Sequence, residues 1–249
     1  MYVYLSKSSL TMRFVDAVKK QLHRDIVADP ILHARVLNLY LCGEAYPHTV
    51  DDYFPVQHVD CPELAQRMRR HLREEDKHVV LYAKAIRTLG AEVLHLPDWC
   101  IFNHVIRSHT REPWRVHAGL DRQARLDKVA NFFAHAHFLE KRVARSLEYH
   151  YDACSHAACD YPGRVVGLVL ADELHHVSYT REAVHDLAGR RRANEILAAH
   201  RAAEYRANLD FSYHQLRRLL IEEPERWPRS RKFFYRSCAV VMQGVLACA

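Results

Sequence analysis

Residues 60–90, DCPELAQRMRRHLREEDKHVVLYAKAIRTLG, decide the fold. Pro62 fits the first turn of a helix, and Gly90 fits the end of one. Between them, apolar residues recur every three or four positions, which predicts one long amphipathic helix. Glu75 and His78 fall within this apolar stripe. The predicted helix therefore carries two chemically active side chains into the core.

A second segment repeats this arrangement. Pro162 introduces a helix that ends near Gly189, and Glu173 and His176 lie along its apolar side. A glutamate and a histidine three residues apart face the same way on a helix. Each of the two helices is thus predicted to present one carboxylate and one imidazole to the interior.

A lone glutamate precedes each pair by one predicted helix. Glu44 lies 31 residues before Glu75, and Glu140 lies 33 residues before Glu173. Both lone glutamates fall on the apolar side of their own helices. The chain therefore consists of two predicted helix pairs, each of which contributes two carboxylates and one imidazole.

The other helix limits follow from the same capping signals. Asp29 and Pro30 start the helix of Glu44, and Pro47 should kink or end it. The helix of Glu140 begins near Asp121. We expect the remaining segments to be a connection at 48–60, a crossover and candidate lid at 91–120, and a fifth long helix at about 190–222. The tail after Pro228 is expected to pack on the bundle or on a second subunit. Its alternatives are contact with a membrane interface and a place in the lining of a substrate passage.

Composition favours helices throughout. The chain has 249 residues, 49% of them hydrophobic, which is enough to bury one full core. Seven glycines and nine prolines are few for this length and favour long helices over strands and turns. We predict an all-α protein with a single domain at 1–249, in which the ligand-bearing bundle covers about 30–190 and extra C-terminal helices cover about 190–249.

The chain has the features of a cytoplasmic protein. Lys7, Arg13 and Asp16 interrupt the N-terminal apolar residues before these could form a signal peptide, and no apolar run is long enough to span a bilayer. The seven cysteines include no Cys-x-x-Cys pair, which fits reduced thiols and excludes a rubredoxin-like domain. The net charge of +6 indicates either a solvated surface or a docking surface for an acidic redox protein, an acidic carrier protein or RNA.

The tetrapeptide Glu-x-x-His is not specific by itself. With 19 histidines in the chain, chance yields about one copy, and this chain has four. Glu92 and His95 follow the helix-ending Gly90, and Glu182 and His185 fall on the face of their helix opposite to the inward pair. The helical face, and not the tetrapeptide, therefore selects the two inward pairs.

Four carboxylates in one apolar core require positive charge. An unpaired buried carboxylate costs several kcal/mol, and four together repel one another. No lysine or arginine falls on the inner stripes beside them, which disfavours a structural salt-bridge network. Two divalent cations would balance four carboxylates, and oxygen ligands with two imidazoles suit iron or manganese. We predict two iron ions, with manganese or a mixed pair as the alternative, held by Glu44, Glu75, His78, Glu140, Glu173 and His176.

The residues that flank the inward pairs extend the pattern. Residues 74–78 read EEDKH and residues 172–176 read DELHH, so each motif is acidic-Glu-x-basic-His. These motifs resemble those of ferritin-like dinuclear iron carboxylate proteins, such as acyl-carrier-protein desaturases, multicomponent monooxygenase hydroxylases and ribonucleotide reductase small subunits. The resemblance covers about 30–190 and implies a ferritin-like four-helix bundle with additional helices. Lys77 and His175 stand where arginine is common in those families.

The resemblance also implies roles and an activity. In those families the acidic residue before each motif glutamate bonds the histidine of the other half, so Asp172 is expected to orient His78, and Glu74 to orient His176. The implied activity is that of a dioxygen-activating diiron oxidoreductase, most directly a hydroxylase or monooxygenase of an organic substrate. Electrons would come from a separate ferredoxin or reductase, because the chain has no Cys-x-x-Cys pair and no Gly-rich nucleotide-binding fingerprint.

Other functions stay open from the sequence. One is a ferroxidase or a peroxide-reducing, rubrerythrin-like iron protein, and another is a helical interaction module with structural acids. A radical protein like the ribonucleotide reductase small subunit is a third, since Tyr82 lies one turn after His78, although packing or hydrogen bonding also explains this tyrosine. The substrate could be hydrophobic, carrier-bound or RNA, and a homodimer is possible.

Two further groups carry chemistry. His137 lies one turn before a predicted ligand and is either an additional ligand or a hydrogen-bonded core histidine. Cys154 and Cys159 lie near His150 and His156, a weak zinc pattern that reduced loop cysteines also explain.

Overall fold

The computed structural model describes residues 2–51, 53–111, 114–117, 119–157 and 159–248, and within these ranges the chain forms helices and connections without any strand. This confirms the predicted all-α class. The helices are α1 (Tyr2–Val27), α2 (Pro30–Ala45), α3 (Pro62–Thr88), α4 (Phe102–Thr110), α5 (Arg122–His156), α6 (Asp160–Glu222) and α7 (Arg229–Ala247).

The predicted capping residues set the limits of α2. The side chain of Asp29 accepts hydrogen bonds from the backbone N–H groups of Ile31 and Leu32, at 2.9 and 3.1 Å. These bonds satisfy donors that the first turn of a helix leaves free. At the other end α2 stops at Ala45, and Pro47 lies in a short 3₁₀ turn. The prediction that Pro47 ends this helix is confirmed.

Gly189 divides α6 into two parts, 160–188 and 190–222. Its φ of 67° and ψ of 164° lie where only glycine is comfortable, so the helix is interrupted there. The predicted end near Gly189 and the predicted fifth helix at 190–222 are therefore both confirmed.

Two helices were not predicted. Tyr2–Val27 forms α1, whose Val15, Val18 and Leu22 are buried at helical spacing. Asp16, Lys19 and Lys20 lie between these apolar residues, and the segment has no proline or glycine to mark its start, so local sequence signals do not set this helix apart. The predicted crossover contains α4, a helix of nine residues.

Salt bridges across the bundle show how its helices run. Arg67 of α3 bonds Glu182 of α6 at 3.0 Å, and Lys77 of α3 bonds Asp172 of α6 at 2.9 Å. Residue numbers rise along one helix as they fall along the other, so α3 and the first part of α6 are antiparallel.

The helix α5 is antiparallel to α6 in the same way. Asp127 near the start of α5 bonds Arg192, and His137 further along bonds the backbone carbonyl of Val177. The helices α2 and α3 meet where Glu44 contacts His78. The four helices that carry the predicted ligands therefore pack against one another around a shared interior.

The two largest hydrophobic clusters of the described residues stabilise this arrangement. The first lies between α2, α3, α5 and α6 and includes the fully buried Leu37, Met68 and Phe133. The second joins α1, the first part of α2, the later part of α6 and α7, with Leu209 and Tyr235 among its fully buried members. The C-terminal tail thus packs against the rest of the chain, which is one of the alternatives predicted for it.

No helix in the described part of the chain has an apolar stretch long enough to cross a membrane. All seven cysteines are free thiols.

Candidate metal centre

The structure brings all six predicted ligands together inside the four-helix core. None has more than 7% of its surface exposed. Donor atoms of Glu44, Glu75, His78 and Glu173 lie within 4.8 Å of one another, which is close enough to share a cation. The buried residues of this carboxylate cluster are Glu44, Glu75, His78, Glu140, Glu173 and His176.

The two motif histidines face the cluster with the same ring nitrogen. His78 Nδ1 lies 3.2 Å from Glu44 Oε2 and 3.6 Å from Glu173 Oε1. His176 Nδ1 lies 3.2 Å from Glu173 Oε2 and 3.7 Å from Glu75 Oε1. Glu173 therefore lies between the two imidazoles, one oxygen towards each.

Each histidine uses its second nitrogen to contact an acid from the opposite motif. His78 Nε2 lies 3.2 Å from Asp172 Oδ2, and His176 Nε2 lies 3.0 Å from Glu74 Oε2. Both cross-half contacts expected from the sequence are present. A carboxylate on one nitrogen fixes the ring orientation and leaves the other nitrogen to bind a cation.

A basic side chain supports each of these outer carboxylates. Lys77 Nζ donates to Asp172 at 2.9 Å, and Arg70 Nε donates to Glu74 at 2.8 Å. Although partial burial opposes ionisation, the hydrogen bonds from the histidine and the basic partner hold the pKa of each carboxyl below its ordinary value. Both acids are therefore anionic acceptors near neutral pH.

His71 is a third imidazole in the cluster, and sequence reasoning missed it. It is 1% exposed, and its Nε2 lies 2.9 Å from Glu75 Oε1 and 3.6 Å from Glu140 Oε1. Its ring stacks on that of His176 with centroids 3.6 Å apart. The signal was available, because His71 precedes Glu75 by four residues and so occupies the same helical face.

Tyr179 fixes the orientation of His71. The tyrosine hydroxyl lies 2.6 Å from His71 Nδ1, on the side of the ring away from the carboxylates. Because Nδ1 is occupied by this contact, Nε2 is the nitrogen that faces Glu75 and Glu140. His71, Glu75 and His176 form a second group of donors within 4.8 Å of one another.

The carboxylates of the cluster cannot all ionise without added cations. Burial, and then the charges of neighbouring glutamates, raise the pKa of Glu75, Glu140 and Glu173 above the ordinary range. Burial opposes ionisation of Glu44 as well, but the hydrogen bond and charge of His78 lower the pKa of Glu44 overall. His78 thus favours the ionised form of Glu44, whereas the pKa of each of the other three glutamates stays raised.

The residues present fit divalent cations. His71 Nε2 and Glu75 Oε1 are buried 2.9 Å apart, and neither has a hydrogen-bond partner in the described structure. A buried polar atom without a hydrogen-bond partner lowers the stability of the fold unless another group, such as a cation, binds it. Four carboxylates and three imidazoles are oxygen and nitrogen ligands of the type that iron and manganese accept.

The other candidate residues lie around the cluster. Tyr82 is fully buried and its hydroxyl has no partner in the described structure, while its ring lies 5.6 Å from that of Tyr40. His137 Nδ1 contacts the carbonyl oxygen of Val177 at 3.0 Å, so it is placed as a hydrogen-bonded core histidine beside the chain of α6. The chance match at Glu182 is exposed and bonds Arg67, as its helical face predicted.

A cavity opens onto the cluster. Its empty volume, with the solvent-filled mouth included, is about 840 Å³, and Glu44, Glu75 and Glu140 line one part of it. The walls are largely apolar and aromatic and include Phe54, Phe102, Leu139, Val143 and Phe211. The predicted crossover contributes to this wall through Phe102 of α4.

The chain matches no protein-family model, and no curated protein or solved structure matches it.

Proposed function

We propose that this chain is a ferritin-like diiron oxidoreductase that uses dioxygen to hydroxylate an organic substrate. The observation that carries the proposal is the buried carboxylate cluster, in which four glutamates from four helical segments meet. Within the described part of the chain their ion-pair partners are histidines. A buried acid cluster of this size is stable when cations bind it.

Seven side chains would hold two iron ions, or manganese in their place. Two ferrous ions bound there would supply two electrons for the reaction with dioxygen. The bundle supports such a pair because facing helices present glutamates and histidines towards one another. The proposed ligands are Glu44, Glu75, His78, Glu140, Glu173 and His176, with His71 as the seventh.

The surrounding residues keep the ligands in position and exclude water. Asp172 and Glu74 hold the outer nitrogens of His78 and His176, which keeps each Nδ1 directed inward. Phe132 and Phe133 are almost fully buried in the core around the cluster. Burial of the ligands strengthens the electrostatic interactions between ligands and cations.

The cavity favours an organic substrate over iron handling alone. Iron oxidation needs only a path for small ions, whereas the side chains that line this cavity beside the acids include many apolar and aromatic ones, as in sites that bind small organic molecules. Its apolar walls suit a hydrophobic substrate or the hydrophobic part of one. Such a molecule would approach the acids from the side of Phe54 and Phe102.

An external protein would supply the electrons. A second, basic opening next to His176 is lined by Arg67, Arg70 and His175. A positive surface favours encounter with an acidic partner. We assign this face to an acidic ferredoxin or reductase, since it lies beside the cluster.

The test is a turnover experiment with iron-loaded protein, a chemical or enzymatic reductant, dioxygen and a panel of hydrophobic small molecules, carrier-bound acyl chains and RNA. We expect oxygen consumption that leaves a hydroxylated product in one of these classes. Phe102→Trp, which fills the cavity, should reduce product formation while two irons still bind. Iron oxidation or peroxide reduction without an organic product from any class would contradict the hydroxylase proposal.

A further inference from the structure

A second group of metal-ligating side chains lies outside the carboxylate cluster, where α2 and α5 meet. His33 comes from α2, and His150 and Cys154 come from α5. Their exposed fractions are 1%, 0% and 2%. Their donor atoms lie within 4.8 Å of one another. The proposed oxygen chemistry uses none of them.

The distances between these atoms match a small tetrahedral ion. His33 Nε2 lies 2.9 Å from His150 Nε2 and 3.9 Å from Cys154 Sγ. Bonds of about 2.05 Å to nitrogen and about 2.3 Å to sulfur around zinc place two nitrogens about 3.3 Å apart, and nitrogen and sulfur about 3.6 Å apart. Each observed separation is within about 0.5 Å of these values, so small side-chain shifts would admit one ion.

The imidazoles are in the protonation state that binds a cation. Burial lowers the pKa of His33 to about 4 and the pKa of His150 well below its ordinary value, so both rings are neutral and offer lone pairs. Burial raises the pKa of Cys154 to about 12. A bound cation would therefore be needed for this thiol to lose its proton.

The neighbours of the group orient its ligands. His150 Nδ1 lies 3.2 Å from the hydroxyl oxygen of Tyr40, to which it can donate a hydrogen bond while Nε2 binds an ion. Such a contact on the outer nitrogen is usual for metal-binding histidines. The ring of His23 packs 5.1 Å from that of His150, and its Nδ1 has no partner in the described structure.

We propose that His33, His150 and Cys154 form a zinc site that is separate from the carboxylate cluster. A thiolate with two imidazoles suits zinc, whereas the carboxylate cluster suits harder ions. The ion would join α2, which carries Glu44, to α5, which carries Glu140. It would thereby hold together two helices of the bundle without taking part in oxygen chemistry.

Cobalt(II) is the probe for this site, because it substitutes for zinc in tetrahedral sites and its thiolate complexes absorb strongly in the near ultraviolet. The carboxylate cluster contains no sulfur ligand, so this absorption does not come from cobalt bound there. Metal-free, full-length protein should develop the absorption on anaerobic titration with cobalt, and zinc should remove it by displacement. A wild-type protein without the absorption would overturn the proposal.

Variants locate the sulfur. Cys154→Ala should lose the absorption, whereas Cys238→Ala, at a buried cysteine in α7, should keep it. Cys159→Ala should also keep it, although its thiol contacts that of Cys154. Absorption that survives Cys154→Ala, or that disappears equally in Cys238→Ala, would contradict the assignment.

Two more variants keep the test decisive. If Cys154→Ala does not fold, His33→Gln leaves the thiol in place and should weaken cobalt binding at least about tenfold with unchanged helical circular dichroism. Unchanged cobalt affinity in His33→Gln would reject the site. Glu75→Ala should keep the thiolate absorption even where iron binding is lost, which separates this proposal from that of the diiron centre.

Discussion

At the scale of single residues, the helical face of each glutamate decides whether it can bind metal. Glu75 and Glu182 both belong to Glu-x-x-His steps, but Glu75 lies in the carboxylate cluster and Glu182 lies at the surface with Arg67. We predict that Glu75→Ala lowers bound iron to fewer than one ion per chain, because it removes a carboxylate shared by both donor groups. Glu182→Ala should retain the wild-type iron content, measured by metal analysis after anaerobic reconstitution. Equal losses in both variants would refute the assignment of faces.

The third imidazole gives a prediction that the sequence did not suggest. His71→Gln should weaken binding of one of the two ions at least about tenfold, since it removes a nitrogen that faces Glu75 and Glu140. Anaerobic ferrous titration followed by spectroscopy measures this affinity. His175→Gln is the matched control, because His175 is exposed on α6 and should leave the affinity unchanged. An unaltered affinity in His71→Gln would show that this ring is only packed beside the cluster.

The outer carboxylates give a milder prediction. Asp172→Asn weakens the acceptor that holds His78 Nε2 and should reduce metal affinity by about 10- to 100-fold, with two ions still bound at saturation. Asp186→Asn, at an exposed position of the same helix, serves as the control. The same titration measures both, and a normal affinity for Asp172→Asn would remove the orienting role.

The sequence predicted six residues of the cluster because each lies at an apolar position of a well-marked helix. It did not predict His71, because this histidine belongs to no Glu-x-x-His step, although it lies one turn before Glu75 on the same helical face. It also grouped Cys154 and Cys159 with His150 and His156, whereas the structure keeps Cys154 with His150, adds His33 of α2 and leaves His156 exposed. The spacing of residues along the chain cannot reveal such a contact, because His33 and Cys154 are far apart in sequence.

At the scale of helical elements, Gly189 allows α6 to change direction after the ligand-bearing part. Gly189→Ala should destabilise the protein by about 1–3 kcal/mol, because a side chain is strained at its φ of 67° and ψ of 164°. Gly244→Ala, within α7 and with open space around the added carbon, should be neutral or stabilising by up to about 1 kcal/mol. Urea unfolding monitored by circular dichroism measures both. Equal stabilities for the two variants would contradict the role of Gly189 as the break in α6.

Helices with clear end signals were predicted, and helices without them were not. Asp29 and Asp121 act as caps, with hydrogen bonds to backbone N–H groups one turn into their helices. The start of α1 has no such signal, and α4 is too short for its period to stand out between the prolines and tryptophans of the crossover. Tertiary packing, and not local propensity, stabilises such segments.

At the scale of the whole molecule, one of the two large hydrophobic cores is built from residues that are not proposed to bind metal. The core of α1, the first part of α2, the later part of α6 and α7 contains no member of the carboxylate cluster. Around the cluster itself, the raised pKa of Glu75 and Glu140 lets protons replace cations when metal is removed. Metal-free protein should therefore remain folded and suitable for reconstitution.

The most direct measurement is the metal content of wild-type protein reconstituted anaerobically with ferrous ion and freed of excess. Four buried carboxylates and three imidazoles predict two irons per chain, or two manganese ions in their place, beyond any zinc. Fewer than one iron or manganese per chain would contradict a dinuclear centre.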